Sequence, residues 1–325
     1  MLRIVDKTIR RRLVVTLNHI RKTQGLGSAH LKDIESILSA AREIRNEAAQ
    51  DKKTHLEPYY SAANLHISAL SAFALAIVLE DESPLPRNWL NRNPDRNPNN
   101  ILEGNIVQIV NHGIALLTLL ECGLTNSARS LLRSVIEITW VTIIYCSLRD
   151  KAQVYAKGDN FSDAKNIWQQ HFSPKSMKNS LAIIEKQLGM SADIIDFLKE
   201  HREHIYELHT QSAHNTSSVM AILAHDTDLK HENESDPPFP IALFGRVGIA
   251  TKTTINDSID VLGYVVMMLF MIFKAKHKYK TDVSKQDKTF WSQFQSIAIA
   301  SQDVWFGNCG CLSVGHLWQN DNETK

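Results

Sequence analysis

Glycine and proline are scarce in this chain, 13 and 9 residues respectively in 325. Folds built from strands and tight turns need both at nearly every reversal, so their scarcity favours long helices with few connections. Charge of one sign is lacking too. The formal net charge is +1, which leaves no global field to draw the chain to nucleic acid or anionic lipid. There are four cysteines, Cys122, Cys146, Cys309 and Cys311. Two fall in apolar helical segments and two in a short tail, which is not a disulfide framework.

Several motifs are missing as well. The sequence has no phosphate-binding glycine loop, G-x-G-x-x-G, nucleophile elbow, H-E-x-x-H or Glu-x-x-His pair. Cys309, Cys311 and His316 are too irregularly spaced for a structural zinc site. No cofactor is expected. The start of the chain is charged and has no apolar core behind it, unlike a secretory leader. The most apolar run, residues 261–273, falls short of the roughly 18 to 20 residues that a membrane span requires. The expectation is therefore a cytoplasmic chain with no membrane span.

What is present is helical periodicity. Leu2, Val5, Ile9, Leu13 and Leu17 share one face of a first helix, and Gly25 and Gly27 end it. Between Arg3 and Lys22 lie seven Lys or Arg against one acid, Asp6, and the charges fall mostly off that face. Such a basic helix suits phosphate, an acidic partner or an anionic membrane, or simply a solvated packing helix. Further helices are expected near 28–44, after Pro58, over 101–122, 126–148, 163–171 and 174–188, and from Ser191 to about His209 or beyond. A long one covers 241–276 and a last one 289–302. Four prolines between Asp81 and Asn100 argue against a regular element there. The expected organisation is an N-terminal helical extension (1–82), a linker (83–100), the main bundle (101–277), and a C-terminal helix and tail (278–325). Between the first two bundle helices, Gly123 suits a left-handed cap, Leu124 its apolar contact, and Thr125 or Asn126 the next helix start.

Two segments concentrate polar chemistry. In residues 128–145, Arg129, Arg133 and Glu137 stand four apart on a helix that is otherwise apolar nearly all round. Buried charge must pair, face a wet cavity or touch a ligand. In residues 200–218, four histidines fall within fourteen positions: His201, His204, His209 and His214. His204, His209 and His214 are five apart, each turned about 140° from the last on a straight helix, so they do not converge on one ion.

Together these segments resemble a family of uncharacterised prokaryotic all-helical proteins with an A-R-x-L-x-R-S-x-x-E helix (Ala128 to Glu137) and a later Tyr-x-x-x-Ser/His-x-x-x-His element (Tyr206 to His214). That family is similar in turn to the HEPN superfamily of four-helix bundles from toxin and antiviral systems, whose ribonucleases carry Arg-x(4–6)-His. Arg202-x6-His209 fits the outer limit of that spacing, as does Arg12-x6-His19. The resemblance implies an all-α multi-helix bundle with a HEPN-like four-helix core, a homodimer, and metal-independent cleavage of RNA. Arg202 would steady phosphate charge, His209 or His214 would act as acid or base, and Arg133 and Glu137 would orient them. A partner protein of a defence or toxin system is a further implication. The alternative is a non-catalytic interaction, scaffold or sensor protein in which the same cluster is structural.

Overall fold

The structure, a computed structural model, describes residues 55–79, 84–91, 95–158, 161–214, 247–275 and 289–308, with isolated positions before residue 55. The expected basic N-terminal helix and the Cys309, Cys311 and His316 tail lie largely or wholly outside these residues. Nine α-helices and one 3-10 turn make up the described part: α1 (Glu57–Leu79), the turn (Arg87–Leu90), α2 (Pro98–Glu121), α3 (Thr125–Ser147), α4 (Arg149–Tyr155), α5 (Phe161–His171), α6 (Pro174–Gln187), α7 (Ala192–Ala213), α8 (Ile249–Ala275) and α9 (Phe290–Asn308). The protein is all-α over these residues, as expected.

The helices form three layers. On one side α1 lies between α9 and α2, and in the middle stand α8 and α3. On the other side α6 and α7 pack against α3. One hydrophobic core joins these layers, running from Phe73 in the first through Val265 in the middle to Ile184 and Ile205 in the last. Phe73 of α1, Phe273 of α8, and Trp291 and Phe294 of α9 form an aromatic knot with ring centroids 4.8 to 5.9 Å apart. The segment expected as an extension thus supplies α1 to the same core as the main bundle.

The α2–α3 hairpin closes as its residues suggest. Gly123 adopts φ 68°, and its N–H bonds to the Leu120 carbonyl while Leu124 N–H reaches Leu119 at 2.9 Å, the paired bonds of a Schellman cap. The start of α3 differs from expectation. No side chain caps it, because the Thr125 hydroxyl is instead 2.8 Å from that of Thr251 on α8.

The proline-rich stretch is also more ordered than expected. Pro98 occupies the first turn of α2, where its missing N–H costs nothing, and Asn97 caps the helix through Asn99 N–H. Buried Asn99 then holds both backbone groups of Leu85, accepting from its N–H at 3.0 Å and donating to its carbonyl at 3.1 Å. Asn99→Ala strands both groups in the interior and is expected to cost about 2–4 kcal/mol. Urea unfolding checks this: the midpoint falls while the slope is unchanged.

One expectation is overturned. Three helices are long and apolar enough to cross a membrane, each over one window: α1, α3 and α8. The expectation of no membrane span, and the cytoplasmic placement drawn from it, do not stand. The apolar run at 261–273 is only the second half of its helix. The helix extends from Ile249 to Ala275, and the uncharged Thr and Ser residues upstream of the run do not interrupt it. The bundle covers 83% of the α8 window, 67% of the α3 window and 56% of the α1 window, so α1 presents the most outward surface.

Candidate functional site

Between α3, α7 and α8 the core turns polar. The stripe on α3 and the acids on α8 are carried toward the interior by helices whose other buried positions are mostly apolar, with buried Thr and Ser among them. At one end Thr125 meets Thr251, and Arg129, 6% exposed, donates from Nε to Thr254 Oγ1 at 2.9 Å. One turn along, Arg133 forms a 2.7 Å ion pair with Glu137 and donates to Thr210 Oγ1 at 2.8 Å and to the Tyr206 hydroxyl. Its guanidinium also lies 3.9 Å from the Tyr206 ring centroid, and that ring stacks on Trp140 at 5.1 Å. Burial pushes the Tyr206 phenol above its ordinary range, with Arg133 pulling the other way, so the hydroxyl is neutral at physiological pH.

Two histidines of α7 meet two aspartates of α8. His209 Nε2 is 3.0 Å from Asp257 Oδ2, and His201 Nε2 is 3.0 Å from Asp260 Oδ2. Arg202 forks onto Glu185 of α6, with Nη2 3.2 Å from Oε2 and Nη1 on Oε1. Tyr264 closes this triad. Its hydroxyl donates to Glu185 at 2.7 Å and accepts from Arg202 at 3.2 Å. Such a bidentate pair is among the strongest hydrogen-bonded arrangements available, provided both charges are satisfied.

The expected site residues therefore separate into three groups. Arg133 and Glu137 stand together against Tyr206 and Thr210, so the two polar segments of the sequence do meet. Arg202 and His209 face α8 at different levels, one at Tyr264 and the other at Asp257. They are 7% and 0% exposed, and each is engaged by an acid. His214 is exposed at the end of α7, where its backbone N–H caps onto Thr210.

Glu185, Asp257, Asp260 and Tyr264 were not anticipated. Their signal is visible in retrospect: Glu185 falls beside Leu181 and Ile184 on the apolar face of α6, and Asp257 and Asp260 stand immediately ahead of the apolar run of α8. An acid on a core-facing position calls for a cation opposite.

A pocket opens beside the triad, between α3, α7, α8 and α9, walled by Trp140, Ile205, Tyr264 and Trp305 with His201 and Arg202. Its free volume of about 20 Å³ has room for one or two waters, not for a nucleotide. Arg202 Nε, which has no hydrogen-bond partner among the described residues, is the natural donor to such a water. No family model matches this chain, and no curated protein or solved structure matches it.

Proposed function

We propose that the polar cluster is a structural network setting the register of α3, α7 and α8, and that the chain is a non-catalytic helical interaction, scaffold or sensor protein. The observation that carries this reading is that Arg202 and His209, the residues expected to do chemistry, are buried and held by Glu185 and Asp257. A general acid or base needs a path to the substrate proton. A side chain at 0% exposure, bonded to a carboxylate, is instead a cross-link between helices. Networks of this kind fix which helix turns meet, because any slip leaves buried charge unpaired.

The second reading is an RNA-cleaving bundle of HEPN type. It is supported by the meeting of the Ala128–Glu137 helix with the Tyr206–His214 element through Arg133. The two readings differ in what His209→Ala does. In the structural reading the variant loses about 2–3 kcal/mol because Asp257 is stranded, and purified wild-type chain leaves total RNA intact. Melting curves and RNA electrophoresis on the same preparations measure both. RNA fragmentation by wild type that His209→Ala abolishes, with an unchanged melting temperature, is the result that would sink the structural reading.

A further inference from the structure

The outer layer, α9–α1–α2, differs from the rest of the surface. α1 and α2 run antiparallel, with Gly113 against Ile67 and Tyr60 within electrostatic range of Glu121. Among the described residues, no exposed position on α1 beyond Glu57, on α2, or on α9 carries a charge. They are Leu, Val, Ile, Ala, Gly, Pro, Ser, Thr, Asn and Gln. Surfaces of soluble domains are about a quarter to a third Lys, Arg, Glu and Asp, so three helices whose only described charges beyond Glu57 on this layer are the half-buried Glu103 and Glu121 are a clear departure. The opposite layer is ordinary: α7 alone exposes Asp193, Asp196, Lys199, Glu200 and Glu207.

Among the described residues, six of the nine exposed large hydrophobic ones sit on this layer: Leu75, Val78 and Leu79 of α1, Val107 and Ile114 of α2, and Ile299 of α9, all between 39% and 62% exposed. Hydroxyls on the same layer are satisfied within their own helices. Ser68, Ser71, Thr118 and Ser296 each donate to the carbonyl four residues back at 2.8 to 2.9 Å. The layer measures about 30 Å along the helices and about 30 Å across three of them.

We propose that the α9–α1–α2 face lies on a lipid bilayer, in the interfacial plane, with Leu79, Val78, Val107, Ile114 and Ile299 dipping into the acyl boundary. The serines, asparagines and glutamines between them sit at headgroup depth. Several observations favour lipid over a protein partner. The described exposed positions of this layer include no Arg, one of the side chains on which protein interfaces concentrate their energy. Adsorption to a bilayer scales with the apolar area buried, to which attraction between basic residues and anionic lipid adds. α1 is the most apolar of the three span-length helices and the least covered by protein. The seven Lys or Arg between Arg3 and Lys22 give the same chain charge complementary to anionic headgroups. This inference is independent of the role assigned to the polar network.

The test is co-flotation of the full-length chain with vesicles of phosphatidylethanolamine and phosphatidylglycerol. Wild type is expected to float with the vesicles. The double variant Val78→Asp/Ile114→Asp is expected to lower the floating fraction tenfold or more. Ile299→Asp, on a separate helix, is expected to lower it independently. Ile183→Asp, an equally exposed apolar position on α6, is expected to float as wild type does. All four positions are exposed, so melting curves should superimpose and exclude misfolding. Wild type left at the bottom of the gradient, or variants that float undiminished, overturn the proposal. So does a wild-type dimer in water that the same substitutions make monomeric without any vesicle binding.

Discussion

Arg202→Ala is expected to melt on the order of 10 °C below wild type. The substitution removes the only described cation on Glu185, which is fully buried, and leaves that carboxylate and the Tyr264 hydroxyl facing a void. Breaking a buried pair from one side costs about 3–5 kcal/mol, and each kcal/mol moves the midpoint of a chain this size by about 2–4 °C. Arg202→Lys recovers only part of the loss, because an ammonium cannot hold both carboxylate oxygens in a fork. Replacing both partners, as in Arg202→Met/Glu185→Leu, is expected to return stability close to wild type, since no uncompensated charge then remains. Differential scanning calorimetry on the three variants decides the matter. Equal losses in the single and double variants would mean that the arginine acts through shape, not charge.

Gly263→Ala is expected to be nearly as damaging for a different reason. Gly263 lies in the middle of α8, where alanine is ordinarily the better helix former. Here a Cβ would sit 2.4 Å from Trp305 Cδ1, 2.6 Å from Cγ and 2.9 Å from Cβ. The clash involves the root of the indole as well as its ring, so rotating the tryptophan gives no relief and α9 itself has to move. Overpacking of this kind costs about 1–3 kcal/mol or more, against a propensity gain of about 1 kcal/mol. Trp305→Ala alone opens a cavity, at about 3–5 kcal/mol. Combined with Gly263→Ala it should cost less than the two losses added, and this coupling is the readout. Additive losses would show that α8 and α9 do not meet at this point.

Most of the helices were legible in the sequence because their apolar positions repeat every three to four residues over long stretches. The turn of the α2–α3 hairpin was legible down to the left-handed Gly123, which has few other reasons to stand where it does, whereas the capping of α3 was not, because Thr125 turns to Thr251. What a run of apolar residues does not reveal is how far uncharged polar residues continue its buried face. Thr251, Thr254 and Ser258 lie buried in α8, upstream of the run at 261–273. At the candidate site, the α3 stripe and the α7 histidines stood out because charge on an apolar face is costly. Their partners did not, because Glu185, Asp257 and Asp260 are 17 to 59 positions away from them in sequence. Which residue answers a buried charge is decided by helix packing, and a single sequence carries no direct record of that.

The central position of α8 also governs the order in which the fold can be assembled. α2 and α3 pack on each other across a turn of three residues and can pair as soon as both have been synthesised. α1 leans on α8 and α9, whose first described residues come about 170 and 210 positions after its end. At about 5–20 residues per second, translation leaves the apolar face of α1 uncovered for on the order of 10 to 40 s. During that interval α2 alone can cover α1, and the side destined for α8 and α9 stays open to any other apolar surface until those helices arrive.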